Sequence, residues 1–148
     1  MAKKTRQIEI TEQQVLEGFK NEQLKMDSLR KAGEGIQGSV AETLAARDAL
    51  KEISLAKKGE KIFVFLGAGV FAEASIEKTS KVRQTLGAGV VIEEGIEKVL
   101  ENLEKMRAEN EKKLGAVQQE QNKTLANLQG LGSLIAEAQR LRRQKPQL

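Results

Sequence analysis

Two copies of one short pattern decide the fold of this chain. Leu66-Gly-Ala-Gly-Val-Phe-Ala-Glu-Ala-Ser-Ile76 returns twenty residues later as Leu86-Gly-Ala-Gly-Val-Val-Ile-Glu-Glu-Gly-Ile96. Each copy places a Gly-Ala-Gly turn after a strand-like run, and glycine reaches the positive φ that tight hairpin turns require. The repeat therefore predicts two β-hairpins, 61–66 with 70–76 and 81–86 with 90–93, joined through the polar residues 77–80.

The first predicted strand has no polar face. Ile62, Phe63, Val64, Phe65 and Leu66 are apolar in succession, whereas a strand with one face in water alternates apolar with polar residues. A segment of about 35 residues is too small to cover both faces of its own sheet. We therefore expect another subunit to supply the cover, which makes the centre of the chain an assembly module.

A long helix is predicted before the hairpins. Thr11 and Gln14 have the spacing of a capping box, and Ile10 and Val15 that of a hydrophobic staple. The Lys-Lys-Gly sequence at 57–59 predicts the end of this helix. Between these signals, positions three and four residues apart form a largely apolar stripe: Phe19, Glu22, Met26, Leu29, Gly33, Ile36, Val40, Thr43, Arg47 and Leu50.

A second long helix is predicted after the hairpins, ending in an arginine-rich turn before Pro146. Its stripe is Ile96, Leu100, Leu103, Arg107, Asn110, Leu114, Val117, Gln121, Thr124, Leu128, Leu131, Ile135 and Ala138. Each helix would have about 45 residues and a length of about 65–70 Å. The sequence thus predicts an α+β chain with an N-terminal coiled-coil helix over 1–58, two β-hairpins forming an oligomerisation module over 59–94, and a C-terminal coiled-coil helix over 95–148.

The composition excludes most catalytic chemistry. The 148 residues include no Cys, His, Trp or Tyr, which removes thiolate nucleophiles, imidazole bases and the usual zinc, iron–sulfur and copper ligands. Each Gly-Ala-Gly is followed by a strand, whereas a phosphate-binding loop leads into a helix. Adjacent Glu93 and Glu94 suit the start of a helix better than acid–base catalysis. We expect no enzymatic activity and no cofactor.

The same composition bears on location. No apolar run has the length of a membrane span or the place of a signal peptide, and no cysteine is available for disulfides. We therefore expect a cytoplasmic protein without a membrane partner.

Positive charge gathers at both ends of the chain. Lys and Arg number 25 against 21 Asp and Glu, a net charge of +4. Lys3, Lys4 and Arg6 would meet the cations of 140–145 in an antiparallel hairpin, and such a cluster suits phosphate backbones. Neither cluster holds an aromatic residue for base stacking, so nonspecific nucleic-acid binding is the less favoured interpretation.

Apolar residues near the two ends exceed what a helix pair needs. Leu16, Leu134 and Leu141 fall outside the stripes, and Ile8 precedes the first helix. A surplus of this kind marks a contact surface, ordinary packing is the competing explanation, and the sequence leaves both open. The candidate residues, called here the tip set, are Ile8, Ile10, Val15, Leu16, Phe19, Leu128, Leu131, Leu134, Ile135 and Leu141.

Seven glycines lie within the predicted helices, each costing about 1 kcal/mol relative to alanine. Folding the chain about residue 75 or 76 places Gly35 opposite about residue 116 and Gly18 opposite about residue 133. This predicts that the glycines of one helix face those of the other. Facing glycines permit either close approach of the helices or bending, and we expect bending.

A long helix, two hairpins with Gly-Ala-Gly turns and a returning helix resemble the alpha-type subunit of prefoldin. The most specific part of the resemblance is the pair Leu66–Val70 and Leu86–Val90, because a beta-type subunit has one hairpin and this chain has two. The helices match in layout and periodicity, so the likeness spans nearly the whole chain.

The resemblance implies a chaperone that holds non-native polypeptides without ATP. It further implies a hetero-hexamer with beta-type subunits, built on a β-barrel between subunits, whose coiled-coil tips grasp clients and deliver them to a group II chaperonin. The tip set would bind clients. By position, the barrel residues would be Ile62, Phe63, Val64, Phe65, Leu66, Val70, Phe71, Val82, Leu86, Val90, Val91 and Ile92. A self-assembling filament or scaffold is the alternative.

Overall fold

The computed structural model describes residues 10–145 and contains two long helices with two β-hairpins between them. The elements are α1 (Glu12–Leu55), β1 (Lys61–Gly67), β2 (Val70–Ser75), β3 (Lys81–Gly87), β4 (Val90–Gly95) and α2 (Ile96–Gln144). The predicted α+β class and both predicted hairpins are confirmed. Five residues used in the sequence argument lie outside the described part: Lys3, Lys4, Arg6, Ile8 and Pro146.

Helix α1 begins at the predicted capping box. The Thr11 N–H donates to Gln14 Oε1 at 2.9 Å, and the Gln14 N–H donates to Thr11 Oγ1 at 3.3 Å. These bonds satisfy amides that the first turn of a helix leaves without an intrahelical partner. The other end differs from the prediction, because α1 ends at Leu55, three residues early. Its chain then turns, and the Lys57 N–H donates to Glu60 Oε2 at 3.1 Å.

The two hairpins repeat each other in their turns. In each antiparallel pair the register shifts just before the last residue of the first strand, Gly67 or Gly87, which leaves Leu66 and Leu86 as bulges. Residues 67, 68 and 69 have φ of 111°, 50° and 78°, and residues 87, 88 and 89 have φ of 101°, 48° and 75°. The left-handed alanines, Ala68 and Ala88, are strained, whereas glycine adopts such angles freely.

The repeat also holds where the hairpins close. The Ile76 N–H donates to the Glu60 carbonyl at 2.9 Å, and the Ile96 N–H donates to the Ser80 carbonyl at 2.9 Å. Both isoleucines are buried. The twenty-residue repeat in the sequence is therefore a repeat of strands, turn and closing bond.

The chain divides into two units, and each is described by itself. The first, called the hairpin unit, comprises residues 36–113. Its core contains Leu50, Ile96, Val99 and Leu103, all buried, with further apolar residues packed around them. The second hairpin connects directly to this core, because β4 is followed without a loop by α2 at Ile96.

The second unit, called the helix-end unit, contains residues 10–35 and 114–145 of the described chain. Here α1 and α2 run antiparallel, because Gly18 lies beside Leu131 while Gly33 lies beside Val117. Lys25 Nζ pairs with Glu120 Oε2 across the helices at 3.2 Å.

The predicted three-four stripes are confirmed in both helices. Every member of each stripe is buried or half-buried, the polar members included. Thr43, buried in the hairpin unit, donates its hydroxyl to the Ser39 carbonyl at 2.8 Å. Periodicity alone therefore identified the packing face of each helix.

Candidate functional site

The hairpin formed by β1 and β2, called hairpin 1, presents an aromatic surface. Phe65 lies opposite Phe71, with ring centroids 5.2 Å apart, and Phe63 precedes Phe65 by two residues. Strand residues two apart share a face, so the three rings form one patch, called here the Phe face. Phe63 is 75% exposed, Phe65 61% and Phe71 59%, so this patch of three of the chain's four phenylalanines is largely uncovered.

The opposite face of hairpin 1 is also apolar and only partly covered. Ile62 is 38% exposed and Val64 is 42% exposed. Near the turn, Leu66 and Val70 are exposed as well. Every apolar side chain of β1 thus contacts solvent, an arrangement from which a solitary soluble chain gains nothing and which marks an interaction surface.

The hairpin formed by β3 and β4, called hairpin 2, is different. Its inner face rests on its own unit: Val82 packs against the core, and Asn102 Nδ2 donates to Gln84 Oε1 at 3.4 Å and to Glu94 Oε2 at 3.5 Å. Ile92 is half-buried. Two of the residues expected in the assembly surface, Val82 and Ile92, therefore already have cover within their own chain.

The outer face of hairpin 2 carries Arg83, Thr85 and Val91 at the positions that correspond to the three phenylalanines of hairpin 1. Arg83 lies opposite Glu93, and Lys78 Nζ lies 3.0 Å from Glu93 Oε1. The hydrogen bond from Lys78, and its charge with those of Lys81 and Arg83, lower the pKa of Glu93. The exposed apolar residues of hairpin 2 are confined to the turn and the strand that follows it: Leu86, Val90 and Val91.

The structure divides the tip set into two groups. Four of its residues are about half or more exposed: Ile10, Leu16, Leu134 and Leu141. The others in the described chain are buried or half-buried: Val15, Phe19, Leu128, Leu131 and Ile135. Ile8 lies outside the described residues. The two explanations that the sequence left open thus apply to different members, since some pack between the helices and others remain on the surface.

Two of the exposed members, Ile10 and Leu134, line an apolar cleft of about 380 Å³. Glu12 is its one charged lining residue, and the Glu12 carboxylate pairs with the Arg142 guanidinium across the two helices. The cleft has the size and lining to accept a few apolar side chains of a partner. Its apolar lining consists of Ile10, Val15, Leu134, Ile135 and Ala138.

The glycines do not face one another, so that prediction is wrong. A Cβ at Gly18 would contact Leu131 at 3.7 Å, and a Cβ at Gly132 would contact Phe19 at 3.8 Å. Each glycine therefore faces a large side chain of the other helix, and a Cβ there would make an ordinary van der Waals contact. Gly35 has no heavy atom within 4 Å of its Cβ position, so packing does not require a glycine there.

Potential metal sites and membrane-spanning helices are both absent from the part of the chain that the structure describes. Between residues 10 and 145, no group of three or more potential metal ligands comes together. None of the described helices has the length and apolarity to cross a membrane.

Comparison with known proteins now gives the family. The model of the prefoldin subunit family matches residues 23–141, which cover most of both helices and all four strands. The chain belongs to the prefoldin family. Prefoldins are chaperones that assemble from several subunits, and they are not enzymes.

A solved prefoldin structure has the same fold. It is the cryo-EM structure of a filamentous PFD from Methanocaldococcus jannaschii, with a TM-score of 0.67 and 21% sequence identity. The match covers 82% of this chain and 98% of that one. A search of curated protein sequences finds no match.

Sequence reasoning missed several surface residues of this prefoldin chain. Leu24 is 58% exposed and Leu125 is 49% exposed, both in the helix-end unit. Both fall outside the stripes, which is the signal that selected Leu16. The sequence does not indicate that Arg142 pairs with Glu12, because this contact depends on the register of the two helices.

Proposed function

We propose that this prefoldin-family chain is an alpha-type subunit of an ATP-independent holdase. The hairpins assemble it with beta-type subunits, and the helix ends capture non-native polypeptides for delivery to a group II chaperonin. A cytoplasmic location suits a chain without cysteines. The observation that carries the proposal is that one chain of a chaperone family has two separate exposed apolar surfaces, the Phe face and the cleft.

The two surfaces support two different tasks. The Phe face is aromatic and continuous with the other exposed apolar residues of β1, which suits a permanent interface that stays covered after assembly. The cleft is small, and the exposed side chain of Leu134 forms part of its lining. Such a surface suits weak contact with many sequences. Several such clefts on one assembly would turn weak contacts into useful retention through their effective concentration.

The client-holding half of the proposal is tested by removing two exposed leucines: Leu134, which lines the cleft, and Leu141, which lies seven residues further along the same face of α2. We expect Leu134→Ser with Leu141→Ser to lose most suppression of aggregation of a chemically denatured client, measured by light scattering without ATP. Met106→Ser is the matched control, because Met106 is similarly exposed but belongs to the hairpin unit. Full suppression by the double variant, with helix content and particle mass unchanged, would show that clients bind elsewhere.

Assembly with beta-type subunits has one alternative that a separate observation favours. A self-assembling filament or scaffold of this chain alone is favoured by the likeness to a filamentous structure. Electron microscopy of the pure chain, alone and with a beta-type subunit, separates the two. Filaments from the pure chain support the scaffold, whereas discrete particles that require the second subunit support the holdase.

A further inference from the structure

The apolar cleft lies beside a concentration of positive charge. Four of the six residues from 140 to 145 are cations: Arg140, Arg142, Arg143 and Lys145. In an α-helix, residues four and seven apart lie on one face, so Arg142 continues the face of Ala138 and Ile135, which line the cleft. Arg143 and Lys145 follow within one turn of it, whereas Arg140 precedes it by two residues, on the other side of α2.

Only part of this charge is neutralised. Arg142 pairs with Glu12, and Arg140 Nη2 lies 3.9 Å from Glu137 Oε1. Within residues 10–145, Arg143 and Lys145 form no ion pair. The negative end of the α2 dipole is equivalent to about half a charge and offsets a fraction of the remainder. A positive surplus therefore stays beside the cleft.

We infer that the cleft selects apolar client segments with acidic flanks over those with basic flanks. This inference rests on the proposed holding function and adds a charge preference to it. The apolar lining supplies contact with the core of the segment, and the surplus cations attract acidic neighbours within about 8–10 Å, the screening length at physiological salt. Lysine flanks meet repulsion at the same place.

A polypeptide suits this site better than a nucleic acid. The cleft lining contains no aromatic side chain on which a base would stack. Its walls are aliphatic, and Arg142, the cation that continues the cleft's face of α2, already pairs with Glu12. Aliphatic walls with a cationic border are complementary to an apolar peptide segment with carboxylates beside it.

The test uses three labelled peptides with one apolar core and with Glu, Gln or Lys flanks. Fluorescence anisotropy with the full-length assembled protein gives their affinities at about 50 mM and about 500 mM salt. At low salt we expect the Glu-flanked peptide to bind about tenfold more tightly than the Lys-flanked one, with the Gln-flanked peptide between them. High salt should reduce the ratio to about twofold or less.

Charge variants assign the preference to the cleft. Arg143→Glu with Lys145→Glu should reverse the order of the Glu- and Lys-flanked peptides. Lys112→Glu with Lys113→Glu is the matched control, because these exposed cations of α2 belong to the hairpin unit, and it should leave the order unchanged.

A second variant moves the charge preference in the opposite direction. Glu12→Gln releases Arg142 from its carboxylate, so it should raise the ratio of Glu-flanked to Gln-flanked affinity about two- to threefold. A merely structural role of the ion pair predicts weaker binding of all three peptides.

The outcomes separate this inference from the function on which it rests. Equal, measurable binding of all three peptides overturns the charge preference and leaves the holdase intact. Failure of every peptide to bind counts against the proposed function itself. Unchanged order in the Arg143→Glu/Lys145→Glu variant refutes the assignment to this cleft. Tighter binding of a single-stranded oligonucleotide than of any peptide, lost in that variant, would replace the peptide with a nucleic acid.

Discussion

Replacing the Phe face with serine is the strongest test of how this chain assembles. A phenylalanine side chain offers about 200 Å² of surface, so the 75% exposure of Phe63 leaves about 150 Å² available for an interface. At about 25 cal/mol per Å², burial of that area contributes up to about 4 kcal/mol. With Phe65 and Phe71, the patch offers about 400 Å², half of what each partner contributes to an interface of standard size.

We therefore expect Phe63→Ser to weaken assembly by up to about 500-fold in dissociation constant, and the triple serine variant to be monomeric at micromolar concentration. Size-exclusion chromatography with light scattering measures the particle mass, and circular dichroism checks that the helices remain. Leu24→Ser, at 58% exposure in the helix-end unit, is the control and should keep the original mass. A folded triple variant that still forms the full particle would refute assembly through this face.

Three further predictions concern the scaffold. Gly35→Ala and Gly115→Ala should each raise the free energy of unfolding in urea by about 1 kcal/mol, because a Cβ at either position meets open space; a decrease would mean that the helices need these glycines. Ala68→Asn should raise the melting temperature, because its φ of 50° suits asparagine in a two-residue turn, and a gain of about 0.5–1 kcal/mol is expected. Finally, a hydrogen bond from Lys123 is the main cause that lowers the pKa of Glu120. The ionised Glu120 carboxylate therefore stabilises the folded protein at neutral pH, and this contribution is lost as the pH falls through the lowered pKa. The melting temperatures of the wild type and Glu120→Gln should therefore converge on acidification, and a constant gap would contradict the assignment.

Local signals in the sequence were sufficient for the elements. The capping box at Thr11 needs only two residues three apart, and the stripes need only helical periodicity. The Gly-Ala-Gly turns gave the hairpins because few residues other than glycine adopt positive φ. Each of these signals depends on neighbours within about one or two helical turns.

Contacts between distant residues were less accessible. Folding the chain about residue 75 places the correct parts of the two helices side by side. Gly18 and Gly132 nevertheless face Leu131 and Phe19, because side chains of packed helices interlock between positions and do not meet directly opposite. Likewise, β3 shows no warning in its sequence that Val82 would be covered by the core of its own unit. Such choices follow from side-chain packing across the helix pair and from the way a hairpin lies on it, and a single sequence specifies neither.

The exposed face of hairpin 1 has a consequence for how much of this chain is produced relative to its partners. A copy without partners exposes three phenylalanine rings and an apolar edge strand, and both promote aggregation with other exposed apolar surfaces. Orphan copies are therefore a hazard in proportion to their number. Production matched to that of its partners, or rapid disposal of the excess, becomes a requirement set by three phenylalanines.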